Sequence, residues 1–150
     1  MSHHTKDKGD LAVAFVIADL SIKNYSCFIP VISEHLPFDL IAYKNNQTFR
    51  LQVKYSCDGF IKNKTSWSDK NGTHTRYYDK NDFDYYAIYS PVLNKVLYPS
   101  VIFGGKKISY SLPNSASKFF WFEDFLDFTD YAEKKNYQNF NFKITRTNHV

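Results

Sequence analysis

The sequence predicts one α/β domain, and three observations carry that prediction. An apolar run from Leu11 to Leu20, broken only by Asp19, has helical length. Short apolar and alternating runs punctuated by Asn, Pro and Gly read as strands. The 150 residues fit one domain, and roughly two thirds of the unfolded chain's surface can be buried at that length.

Gly9 to Asn24 is the expected first helix. Asp7 or Asp10 serves its first turn, where an acidic group complements the helix dipole. It is apolar on most faces, so it packs against a sheet. Met1 to Lys6 reads as a flexible or tag-derived leader. Cys27 to Ile32 is a short strand, with Pro30 suiting an edge. Phe38 to Tyr43 and Thr48 to Tyr55 form a hairpin across Asn45-Asn46, because Asn tolerates positive φ. In the second of these strands Phe49, Leu51, Val53 and Tyr55 alternate with Arg50, Gln52 and Lys54.

Ser56 to Asn81 shows no regular element beyond a turn at Asn71-Gly72. Asp84 to Ser90, Lys95 to Ile102 and Ile108 to Leu112 read as strands. Ser117 is placed as the N-cap of a helix running to about Glu133. Residues 136–150 read as a tail or a last strand.

Composition excludes several classes. At 43% hydrophobic and 23% charged, the chain is globular rather than wholly disordered. No apolar run reaches transmembrane length, so no membrane partner is expected. Two cysteines, Cys27 and Cys57, are too few for a disulfide scaffold, and no secretory signal opens the chain. Both points favour a cytoplasmic protein. Aromatic residues make up 19%, which A+T-rich codon usage explains better than base stacking does. A net charge of +4 permits a polyanion partner without requiring one. The histidines are scattered, without metal-ligand spacing.

The chemistry lies in the hairpin. Antiparallel pairing sets the start of its first strand beside the end of its second, so Asp39 converges on Gln52 and Lys54. A carboxylate holds a hard divalent cation through oxygen, and a nearby lysine orients a water or neutralises developing charge. That set suits phosphodiester hydrolysis. Alternating charge on a strand is more often a plain solvated face, and an Asp…Gln-x-Lys pattern alone is short.

With the preceding helix and the downstream Arg76-Tyr77-Tyr78 and Asp82-Phe83-Asp84-Tyr85-Tyr86, the sequence resembles the PD-(D/E)XK nuclease superfamily. The resemblance implies a restriction-endonuclease-like mixed central sheet flanked by helices. Within the superfamily, the chain is most similar to group I intron-encoded homing endonucleases of cyanobacterial type. By that resemblance Asp39, Gln52 and the Val53 carbonyl hold Mg²⁺, with Ca²⁺ as a non-catalytic substitute, and Lys54 serves the attacking water. Gln52 departs from the usual acid and lowers the expected metal affinity. Relatives place a Glu on the first helix, and Ala14 marks the position of that missing acid; Asp10 is the competing candidate.

DNA contacts are expected from Lys62, Lys64, Trp67, Lys70, His74 and Arg76, with Lys106 and Lys107 as a second basic turn. An ordinary solvent loop explains the first set equally well. One site cuts one strand, so double-stranded DNA implies a homodimer or homotetramer. The aromatic-rich stretch from Phe119 to Tyr131 is an interface candidate. The rival functions are a Holliday-junction resolvase or restriction enzyme on the same fold, and a DNA-binding protein whose metal site has decayed.

Overall fold

The computed structural model describes residues 4–32, 35–111 and 120–128. The first helix, α1 (Thr5–Ile22), starts earlier than the sequence predicts, and Thr5 and Lys6 belong to it rather than to a loose leader. The His4 N–H donates to the Asp7 carboxylate at 3.2 Å, which satisfies a group at the helix start that has no intrahelical acceptor. Asn24 ends the helix at φ 62°. The Asn24 N–H reaches the Ser21 carbonyl at 3.0 Å and the Tyr25 N–H reaches Leu20 at 2.9 Å, the paired bonds of a Schellman motif.

Strands β1 (Ser26–Phe28), β2 (Leu40–Lys44), β3 (Gln47–Tyr55), β6 (Tyr85–Ser90) and β7 (Lys95–Leu97) make one sheet in the order β1-β2-β3-β6-β7. Only β3 and β6 are parallel, so the sheet is mixed. The β2–β3 turn is Asn45-Asn46 with φ 52° and 62°, as that dipeptide demands. β1 stops at Phe28, short of the expected Ile32, because Pro30 offers no N–H to a ladder.

The two sheet faces bury different cores. Ala12, Val16 and Leu20, spaced four apart on α1, cover Leu51, Val53 and Ala87, and Phe15 stacks on Tyr89 at 4.0 Å. On the other face Tyr86, Ile88 and Leu97 meet Ile61, Phe83, Phe103 and Phe125. No described helix is long and apolar enough to cross a membrane.

Two expectations are corrected. Within Ser56 to Asn81 the chain forms a hairpin, β4 (Lys64–Asp69) and β5 (Gly72–Tyr77). Serine and threonine on both faces gave it no apolar alternation. Among residues 120–128 there is no α-helix. β9 (Phe120–Trp121) pairs with β8 (Ile108–Ser109), and a 3₁₀ turn follows at Phe122–Phe125. Tertiary packing decides this segment. Phe125 is buried in the second core, and Phe128 stacks on Phe49 at 4.7 Å. These aromatics pack into the chain's own interior. Phe119, the segment beyond Phe128, and the tail at 136–150 lie outside the described residues.

Candidate active site

β2 begins at Leu40, opposite Leu51, while β3 runs on to Tyr55, and Asp39 is the residue just before that start. Its own N–H donates to the Leu51 carbonyl at 2.8 Å. Its carboxylate Oδ2 then accepts the Val53 N–H at 2.7 Å and a Gln52 amide N–H at 2.8 Å. The side chain replaces the ladder that the missing strand would have supplied. An extended residue turns its N–H and C=O to the same side, so the Val53 carbonyl also faces the side from which β2 is absent. Gln52 and Lys54 alternate with the α1-facing Leu51 and Val53, so both lie on the face away from α1.

The electrostatics follow from crowding. Asp39 is open to solvent from the front but flanked by protein. Desolvation pushes its carboxyl above the usual range, against the pull of the Val53 N–H and of Lys54. Desolvation also drives the Lys54 ammonium below its ordinary range, with Asp39 opposing and Lys62 assisting. The acid and the base are thus drawn toward one another in proton affinity, as expected of groups that handle protons.

Asp39 and Gln52 line an open groove of about 700 Å³, with Thr65, Trp67, Arg76 and Tyr78 lining it from the ribbon and the residue after it. Cross-strand register explains which ribbon residues enter. Thr65 pairs with Arg76 and Trp67 with His74 on one face, and Trp67 stacks on His74 at 5.3 Å. The other face carries hydroxyl pairs, Ser66 with Thr75 and Ser68 with Thr73, each at 3.1 Å. Arg76 is fixed by Asp82, whose two carboxylate oxygens each lie 2.9 Å from Nη1. His74 faces Asp69 at 3.0 Å.

The sequence-derived set therefore divides. Asp39, Gln52, Val53 and Lys54 come together. Trp67 and Arg76 reach the groove, and Lys62 is close enough to influence Lys54. Lys64 and Lys70 lie exposed on the ribbon, and Lys70 is at its tip. Lys106 packs over the Phe103 and Phe120 rings, and Lys107 bridges to Phe60, away from the groove lining. Ala14 is on the exposed side of α1, and α1 rests on the opposite sheet face from Gln52 and Lys54. Asp10 is also exposed on α1. The groove residues that sequence reasoning missed include Tyr78 and Thr65, the loop residues His35 and Leu36 and, behind Arg76, Asp82. The Arg76-to-Tyr78 and Asp82-to-Tyr86 segments carried a family signal for this region but no role for Tyr78 or Asp82.

The oxygen donors fit a hard divalent cation. Asp39 offers a carboxylate and Val53 a carbonyl, and rotation of the Gln52 amide would present Oε1 in place of Nε2. No cluster of three acidic, His or Cys ligands exists among the described residues, so protein alone supplies a sparse set. Mg²⁺ commonly accepts such a set, keeping waters and taking substrate phosphate oxygens.

No curated protein sequence matches the chain. Its fold is similar to a solved structure of a bacterial homing endonuclease, I-Ssp6803I, with a TM-score of 0.66 and 20% identity over 82% of this chain and 88% of that one. The family model described as PD-(D/E)XK endonuclease matches residues 3–127, a span holding the whole Asp39-to-Lys54 hairpin and the ribbon beside it. That match spans most of the chain, and the chain belongs to the PD-(D/E)XK endonucleases.

Proposed function

We propose that the protein is a site-specific, divalent-metal-dependent endonuclease that cuts both strands of DNA in intron homing. The single observation that carries this reading is the convergence of Asp39, Gln52, the Val53 backbone and Lys54, with Asp39 and Gln52 lining the groove. Asp39, Val53 and Gln52 would hold Mg²⁺. When bound, the cation supplies Lewis acidity at the phosphoryl oxygen and a water of lowered pKa.

The chain's own groups do the rest. Asp39 is oriented by the Val53 N–H, so its second oxygen is free to face the groove. Lys54 places positive charge beside the scissile phosphate and orients the attacking water. Arg76, held rigid by Asp82, presents its remaining N–H groups to a neighbouring phosphate. The ribbon is sized to enter a major groove, with Lys62, Lys64, Lys70, His74 and Trp67 along it. Lys106 and Lys107 form a separate basic turn for the phosphate backbone. One groove cuts one strand, so the active form is a homodimer or homotetramer.

A second reading is a DNA-binding descendant with a weakened metal site. The lone carboxylate at the groove, with an amide where a second acid would stand, favours it.

The test is cleavage of a randomised plasmid library and of junction DNA in Mg²⁺ and Mn²⁺, with binding followed in Ca²⁺. The proposal expects linearisation of a defined subset of duplex plasmids. Lys54→Ala should lose cutting and keep binding. Binding in Ca²⁺ without cutting in either metal would select the weakened-site reading. Preferential cutting of junctions would select a resolvase.

A further inference from the structure

No ion pair fixes Lys54 among the described residues, although its charge is central to the proposed reaction. What lies beneath it is a ring. Lys54 Nζ is 5.4 Å from the centroid of Tyr78, and Arg76 Cζ is 5.9 Å from the same centroid. Both fall inside the roughly 6 Å reach of the aromatic quadrupole.

The ring itself is held in place. Phe83, fully buried, meets it edge-on at 5.2 Å and 67°. The Tyr78 N–H donates to the Asn63 carbonyl at 2.9 Å, which ties it to the base of the ribbon. Arg76 has its own anchor in buried Asp82, and Asp82 also accepts the Asp79 N–H at 2.9 Å. Lys54 has no comparable anchor, so the ring matters to it more. Tyr78 also lines the groove with Asp39 and Gln52.

We propose that Tyr78 is a positioning residue whose ring face holds the Lys54 ammonium beside the groove that Tyr78 lines. This rests on the nuclease reading above. A ring suits the task better than an acid. A carboxylate paired with Lys54 would cancel the field that a phosphate needs. An aromatic face orients the ammonium without a compensating formal charge, and the N–H donors on the ammonium's far side stay available to water or phosphate.

The experiment has two arms. The first is NMR of lysine side chains in the parent, Tyr78→Phe and Tyr78→Leu proteins. The Lys54 ε-protons should show an upfield ring-current shift in the parent and Tyr78→Phe, and lose it in Tyr78→Leu. A Lys54 signal at its ordinary position in the parent overturns the inference, whatever the protein cuts.

The second arm is single-turnover cleavage in Mg²⁺ of a plasmid selected by the parent, with Kd measured in Ca²⁺. Tyr78→Phe should cut within about twofold of the parent. Replacing Tyr78 by 3,4,5-trifluorophenylalanine keeps the shape but removes the negative face, and should slow cutting about tenfold with Kd unchanged. That isosteric variant keeps the test valid if Tyr78→Leu does not fold. Equal losses in rate and binding would make the ring a structural element and overturn the inference.

The two failures are distinguishable. If Lys54→Ala abolishes cutting while the fluorinated protein cuts at the parent rate, the Tyr78 inference fails alone. If the parent itself cuts no DNA in Mg²⁺ or Mn²⁺, the nuclease reading fails while the ring-current arm still reads the Tyr78–Lys54 contact; if Lys54→Ala cuts like the parent, the role of Lys54 fails and that of Tyr78 falls with it.

Discussion

Arg50 clamps the segment that carries Asp82 to the central sheet, and its removal should be felt in both stability and the groove. Its guanidinium donates to the carbonyls of Asn81 at 2.8 Å, Lys80 at 3.2 Å and Asp82 at 3.4 Å, and to the Asp84 carboxylate at 2.9 Å and 3.3 Å. A bond to a charged group contributes about 1.5–3 kcal/mol, but these five share one side chain and do not add. The side chain is 34% exposed, so water recovers part of the loss at the loop carbonyls. Asp84 is not orphaned either, because the Arg50 backbone N–H still donates to it at 2.7 Å. The net cost of Arg50→Ala is therefore about 2–3 kcal/mol. For a chain of this length that lowers Tm by about 5–10 °C. Arg50→Lys keeps the charge but cannot span three carbonyls and a carboxylate, and should recover about half. Calorimetry of the three proteins in EDTA is the assay. An Arg50→Ala protein melting within about 1 °C of the parent would refute the clamp, as would full recovery in Arg50→Lys.

Three further outcomes are expected. Asp39→Asn should melt above the parent at pH 7 in EDTA, because desolvation raises the folded carboxyl's pKa and ionisation therefore costs stability. The gap should close as pH falls through that raised pKa; a gap that widened would invert the sign. Lys62→Ala and Lys64→Ala should each reduce the slope of log Kd against log salt in Ca²⁺ by about 1, and unchanged slopes would remove those lysines from the phosphate contacts. Gly59→Ala should cost about 2–4 kcal/mol, since φ is +80° and a Cβ would lie 2.0 Å from the Ile108 carbonyl oxygen. Gly72→Ala meets nothing within 4 Å, so in urea unfolding it should show backbone strain alone and a smaller loss.

What the sequence revealed was local or one pairing step away. Asn45-Asn46 named its own turn, and period-2 alternation from Phe49 to Tyr55 named the strand. Together they placed Asp39 beside Gln52 and Lys54 by strand pairing alone. The ribbon was hidden because Lys64, Ser66 and Ser68 on one face and Thr65 and Asp69 on the other are polar, leaving Trp67 as the one aromatic in β4. The signals that could have found it were Asn71-Gly72 and the β-branched Thr65, Thr73 and Thr75 flanking that turn. The aromatic segment from Phe120 misled for the opposite reason. Its spacing fits a helix, yet the contacts that decide it, Phe103 with Phe120 and Phe49 with Phe128, join distant parts of the chain. Tyr78 was invisible as a site residue because its approach to Lys54 needs both the ribbon's return and the packing of Phe83.

The connection between the parallel strands β3 and β6 has a wider consequence. Such a crossover is usually a helix, whose length is tied to the sheet it covers. Here a ribbon fills the gap, closed at its base by the Tyr78-to-Asn63 bond and pinned behind by Arg50. Neither strand depends on what the ribbon's tip contains. Residues between Asn63 and Tyr78 thus form a cassette that can drift, lengthen or be exchanged while Asp39, Gln52 and Lys54 stay in register. On the nuclease reading proposed above, selection for a new target and retention of the old chemistry can proceed on separate stretches of one small chain.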